Sequence, residues 1–237
     1  MKKYALVTGA ADRIGKSVAL HLAKKGYSLL LHCNTSVVKA EKVQQEILAL
    51  GQDAQILKIN FLEDYDFDVL MSSLQQKNIQ LEVLVNCASD FRPSGFQDFG
   101  VALLNREFTI NFHKPYLLTK AYAKFYHKGN IINFLDTKIT KNTTTHLDYL
   151  LSKKLLHEFT QMSALELAPG FRVNGIAPGL ILPPADKDEN YLQDLAQKIP
   201  LKTIGNLSEI HKAVDFILDS YFVTGQILYI DGGDHLT

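Results

Sequence analysis

No tryptophan occurs in these 237 residues, and there are only two cysteines, Cys33 and Cys87. Two thiols so far apart give no framework of bridges, which excludes a disulfide-stapled scaffold; reduced thiols in the cytoplasm are expected. Net charge is absent too, with 25 basic residues against 25 acidic ones and no basic block. A nucleic-acid partner therefore has no electrostatic support. No apolar run approaches the ~18 residues of a membrane span, so no membrane association is expected. The opening basic residues lead into an apolar run that ends at Val7, with Asp12-Arg13 soon after. That is too short for the apolar stretch of a signal peptide. His21, His32, His113, His127, His146, His157, His211 and His235 show no ligand spacing, so no metal is expected. Linkers, repeats and low-complexity segments are missing as well.

What is present is a regular alternation of short apolar strands and longer amphipathic helices. Strands are expected at Tyr4–Thr8, Ser28–His32, Ala54–Ile59, Leu81–Val85, Asn130–Leu135, Arg172–Ala177 and Gln226–Ile230. Helices are expected at Ile14–Lys25, Val37–Leu50, Val69–Lys77, Leu103–Phe125, Leu147–Leu167, Asn190–Lys198 and Ser208–Leu218, the last capped by Ser208. Such alternation predicts one α/β domain over residues 1–237. Its core is a doubly wound, Rossmann-type parallel sheet of about seven strands, with helices on both faces. The one stretch without periodicity, Gly179–Glu189, is expected to be a flap over a site.

The turn between the first strand and the first helix reads Thr8-Gly9-Ala10-Ala11-Asp12-Arg13-Ile14-Gly15. Small residues there let the backbone approach a pyrophosphate, and the helix N-terminus supplies N–H groups and positive potential. Arg13 offers a fork for phosphate or for a ligand carbonyl. An acid at the end of the second strand would hold the ribose hydroxyl of NAD. Here the residues are His32-Cys33-Asn34-Thr35-Ser36, with no acid. Asn34, Thr35 and Ser36 can donate to a 2′-phosphate, which points to NADP(H); the strong cation usual for that phosphate is missing unless His32 or Lys39 serves.

Tyr149 and Lys153 stand at i and i+4, on one face of a helix. An ammonium beside a phenol is expected to lower the phenol's pKa, making it a general acid for a reduction. The pattern recurs as Tyr116 and Lys120, so one copy is structural. Tyr149 is preferred because it lies on the helix after the strand Asn130–Leu135, whereas Tyr116 lies mid-helix, five residues after Asn111. Pro115, four residues past Asn111, is expected to free a carbonyl and kink that helix. Asn86-Cys87-Ala88-Ser89, Pro178-Gly179 and Asp231-Gly232-Gly233 end further strands, where ligands meet a doubly wound sheet.

Taken in order, Thr8–Gly15, Asn86–Ala88, Asn111, Tyr149–Lys153, Pro178-Gly179 and Asp231–Gly233 resemble the short-chain dehydrogenase/reductase family over essentially the whole chain. The resemblance implies that Asn111 holds a water in a proton relay, Tyr149 protonates the substrate, and Lys153 binds ribose and tunes Tyr149. It also implies Asn86 and Ala88 beside the cofactor, Asn60 near the adenine in place of the usual aspartate, and a homotetramer packed through the helices around Leu103–Phe125 and Leu147–Leu167.

Arg13, the run from Asn86 through Ser89 and Asp90 to Phe91, and Asp136 resemble more narrowly the pteridine reductases. The stretch from Ala177 to Leu236 resembles bacterial dihydromonapterin reductases. That resemblance implies NADPH-dependent reduction of 7,8-dihydropteridines, with weak action on dihydrofolate. Asp136 stands where the broad family has Ser or Thr. A carboxylate would repel a developing alkoxide but can accept from the amino and ring N–H groups of a pterin. Phe91 could stack on the pterin ring or belong to the core. Asp136 could also join Tyr149 in proton transfer to a ring nitrogen, or instead cap a loop, with Thr137 doing the hydroxyl's work. Two other readings stand beside this one: a carbonyl reductase for a 3-oxoacyl thioester, and a non-catalytic NADP(H) sensor on the same fold.

Overall fold

The computed structural model describes residues 2–97, 100–184 and 189–237. Seven strands form one fully parallel sheet: β1 (Lys3–Val7), β2 (Ser28–Cys33), β3 (Ala54–Lys58), β4 (Gln80–Asn86), β5 (Gly129–Phe134), β6 (Phe171–Pro178) and β7 (Ile227–Ile230). Their spatial order is β3-β2-β1-β4-β5-β6-β7. The order reverses between β1 and β4, and in open α/β sheets ligands bind in the crevice at that point, beyond the carboxyl ends of the strands.

Alternation along each strand feeds two separate cores. Ala5, Val7, Leu29, Leu31, Val83, Val85, Ile132 and Phe134 point to one face. They pack there against α1 (Arg13–Lys24), α2 (Val37–Ala49) and α8 (Leu207–Asp219) through Val18, Leu22, Val43, Ile47, Val214 and Ile217. Tyr4, Leu6, Leu30, Leu84, Ile131 and Val173 point to the other face, against α3 (Phe67–Gln76), α5 (Lys114–Phe125) and α6 (Leu147–Glu166). Full burial of each Val, Leu, Ile or Phe side chain among them contributes about 1.5–3 kcal/mol. This is the doubly wound arrangement the alternation predicts, and among the described residues no helix is long and apolar enough to cross a membrane.

Three local expectations need correction. The single helix over Leu103–Phe125 is instead α4 (Val101–Phe108), a π-helical turn at Thr109–His113, and α5. Pro115 has no N–H to give to the carbonyl of Asn111, so the chain widens one turn before it. Ser208 does not cap α8. Asn206 does, its Oδ1 accepting from the Ser208 N–H at 2.9 Å and the Ser208 hydroxyl at 2.6 Å. Asp66 caps α3 in the same way, accepting from Asp68 and Val69, and starts it at Phe67 rather than Val69. Of the expected flap, residues 185–188 lie outside the described residues; beyond them α7 covers Glu189–Ala196.

Candidate active site

The turn after β1 is built so tightly that two of its positions demand glycine. Gly9 has φ +65°, and a Cβ there would lie 2.9 Å from Ala88 Cα. A Cβ on Gly15 would lie 2.2 Å from the Gly9 carbonyl oxygen. The backbone of α1 is thereby drawn down onto the turn, and the Ile14 and Gly15 N–H groups find no acceptor among the described residues. Thr8 ties the strand ends across the switch point, its Oγ1 accepting from the Cys87 and Ala88 N–H groups at 2.9 Å each.

Arg13 is left-handed, with φ +52°. Glycine adopts that conformation at no steric cost, which is the physical reason a glycine suits this position. The guanidinium reaches across the crevice and donates to the Pro183 carbonyl at 2.7 Å. Asn34, Thr35 and Ser36 are exposed after β2, and Asn34 donates to Asn60 after β3 at 3.3 Å. His32 does not face them. It is buried, stacked on Phe61, with Nδ1 accepting from the Gly9 N–H at 3.1 Å and Nε2 on the Ile59 carbonyl at 3.0 Å. Burial pulls its pKa down to about 4, so it supplies no cation. Lys39 is exposed and ion-paired with Asp12 in the glycine turn. The Asn86 side chain is buried and donates to Asn133 at 2.8 Å and Thr119 at 3.3 Å, cross-linking the sheet to α5. Pro178 ends β6, and Gly179 packs on Asp231, where a Cβ would fall 2.6 Å from the Asp231 Cβ.

On the other side of the crevice α6 presents Tyr149 and Lys153. The Tyr149 hydroxyl donates to Asp136 Oδ2 at 2.8 Å, and Asp136 Oδ1 accepts from the Lys138 N–H at 2.8 Å. Asp136 therefore both caps its loop and holds the phenol. Thr137 is buried, and its hydroxyl donates to Asp231, so it is turned away from Tyr149. The phenol's pKa is raised well above its ordinary value, by burial first and then by the Asp136 charge. This reverses the expected lowering by Lys153, whose ammonium is spent on the Phe134 carbonyl at 2.8 Å. Burial lowers the Lys153 pKa to about 8. Cys87 beside it is a neutral thiol, pushed up to about 12 by burial. The second pair is a surface feature: Lys120 is exposed on α5, and its Nζ reaches the Tyr116 hydroxyl at 3.4 Å.

Phe91 is not core. It is half-exposed, stacked on His146 at 4.1 Å, edge-on to Tyr149 at 4.7 Å, and lies under the Lys138 ammonium. The Asn111 side chain is fully committed. Its Oδ1 accepts from the Ser89 hydroxyl and the Asp90 N–H at 3.0 Å each. Its Nδ2 donates to the Asp90 carbonyl at 3.0 Å and to Glu107 Oε2 at 2.7 Å. Pro115, which has no N–H, cannot donate to the Asn111 backbone carbonyl. Sequence reasoning missed Glu107 and Ser94. Glu107 offers one legible signal, its place four residues before Asn111; Ser94, which bonds the first turn of α6, offers none.

A family model described as "Enoyl-(Acyl carrier protein) reductase" matches residues 9–235. The chain belongs to this short-chain dehydrogenase/reductase family. Within the family, the chain is 28% identical to the dihydromonapterin reductase of Klebsiella pneumoniae, over 96% of this chain and 95% of that one. It is 31% identical to the 3-oxoacyl-[acyl-carrier-protein] reductase of Synechocystis, over 97% and 95% respectively. Among solved structures it is similar to FolM alternative dihydrofolate reductase 1 from Brucella suis in complex with NADP. There the TM-score is 0.92 and the identity 30%, covering 99% of this chain and 95% of that one. A short-chain reductase with Asp136, rather than a hydroxyl, against its tyrosine departs from the broad pattern of the family.

Proposed function

We propose that this enzyme reduces a 7,8-dihydropteridine to its tetrahydro form with NADPH, dihydromonapterin first and dihydrofolate less well. The observation that carries the proposal is the 2.8 Å bond from Tyr149 to Asp136, with Thr137 buried against Asp231. A ketone needs a hydroxyl near its developing oxyanion, whereas a pterin presents amino and N–H donors that a carboxylate accepts. The named relatives support both pterin and 3-oxoacyl substrates. Burial of Thr137 favours the pterin.

The glycine cradle fits a dinucleotide. Gly9, Ile14 and Gly15 would take its pyrophosphate, with Arg13 beside them. Ala88 would border the ring, Lys153 the ribose, and Pro178 and Gly179 the far rim. The carboxylate-free loop Asn34–Ser36, with Asn60, leaves room for a 2′-phosphate, and Lys39 can turn from Asp12 towards it. NADPH when bound supplies the hydride. Tyr149 stays protonated at neutral pH and delivers its proton to the ring nitrogen once Asp136 accepts from the pterin instead. Asn111 holds a relay water through its carbonyl, and Ser89 and Phe91 form the wall on which the ring rests. A cytoplasmic homotetramer belongs to the same reading; the outward face of α6 leaves Leu151, Leu155, Met162 and Leu165 exposed.

The test is NADPH oxidation by the purified protein, with a 7,8-dihydropteridine and a 3-oxoacyl thioester offered side by side. Turnover of the pteridine is expected. Turnover of the thioester alone would sink the substrate assignment. Turnover of neither substrate, with Tyr149→Phe changing no activity, would revive the sensor reading.

A further inference from the structure

Glu107 has no exposed surface, yet it is a carboxylic acid on α4 beside the site. A buried carboxylate is costly unless it is bonded, so its partners explain its presence. Oε1 accepts from the Arg92 N–H at 3.0 Å, and Oε2 accepts from Asn111 Nδ2 at 2.7 Å. Asn111 in turn holds both ends of the Asp90 peptide and the Ser89 hydroxyl. The segment between Ser89 and Arg92, which carries Phe91 against Tyr149, is thus held from below by one acid and one amide. Its far end is pinned separately, where Ser94 Oγ accepts from the Asp148 N–H at 3.0 Å.

We propose that Glu107 is a positioning residue for the substrate. Through Asn111 and the Arg92 N–H it sets the height and tilt of the Phe91 wall over the Tyr149–Asp136 pair. The proposal rests on the reading that this wall faces the substrate.

The charges around Glu107 decide how it responds to pH. Asp90, from the loop, pushes its proton affinity up, and Arg92 pulls it down. Arg106, next to it on α4, is ion-paired with Asp90, as is Arg92. From α6 the facing groups are Tyr149 and Lys153, both of which sense its charge. Burial dominates and lifts its pKa to about 7. Ionised, both oxygens accept charge-assisted bonds and hold the loop; protonated, one is weakened. The wall is therefore firmest above pH 7, and substrate KM falls as pH rises through that value.

The experiment compares the full-length protein with Glu107→Gln, using whichever of the two substrates the wild type turns over. The expected result is a KM raised roughly tenfold, an unchanged NADPH affinity and loss of the pH step in KM. In parallel, hydrogen exchange at the Asp90 and Arg92 amides, scaled to free-peptide rates, should lose protection roughly tenfold in the variant. An unchanged KM with unchanged protection overturns the proposal. If the wild type turns over neither substrate, the reading of the reaction has failed, and amide protection alone decides the role of Glu107. If Glu107→Gln does not fold, wild-type protection decides: a drop at these two amides as pH falls through 7 supports the role, and a flat profile contradicts it.

Discussion

His32 shows how one side chain ties the cofactor turn to the pH response of the fold. It is neutral, buried, and bonded to the Gly9 N–H and the Ile59 carbonyl. In the unfolded chain its imidazole takes a proton near pH 6.5; in the folded protein it does so only near about 4. Below 6.5 the unfolded state binds more protons, so stability falls with falling pH across this window. It is fully present above it. The loss amounts to about 3 kcal/mol over the whole window. Denaturant midpoints followed from pH 7 to pH 4 should show this drop, and His32→Gln should flatten it. An equal drop in the variant would remove His32 from the account. The same residue shows where sequence reading stops: its place at the end of β2 was legible, but which way the imidazole points is set by packing on Phe61.

At the scale of elements, the strands and most helices were legible because buried parallel strands read as continuous apolar runs and amphipathic helices keep their period. The break at Thr109–His113 was only half legible. Pro115 announced a disturbance, while the choice of a π turn over a kink depends on how α4 and α5 pack around Asn111. The close approach of α5 to the sheet gives a testable case. Tyr122 donates to the Leu81 carbonyl at 2.9 Å, and a Cβ on Gly129 would fall 2.0 Å from its hydroxyl. Gly129→Ala should cost about 1–3 kcal/mol in chemical denaturation, with part recovered in combination with Tyr122→Phe. Additive effects in the double variant would contradict the clash.

At the scale of the molecule, the doubly wound sheet brings together residues from four separate strand ends. The glycine turn comes from β1, Ala88 and Ser89 from β4, Asp136 from β5, and Pro178 from β6. Their positions could be read in sequence because each follows a strand. The pairing of Asp136 with Tyr149 and the place of Glu107 four residues before Asn111 could be read as well; the burial of Thr137 against Asp231 could not, because it is a tertiary contact with no local signal. The central claim is that the carboxylate at Asp136, not a hydroxyl, completes the acid. Its most direct test is kcat/KM for a 7,8-dihydropteridine in Asp136→Ala against the wild type, at saturating NADPH. A loss of roughly 10²-fold or more, with NADPH affinity unchanged, is predicted. Wild-type turnover in the variant would contradict the account.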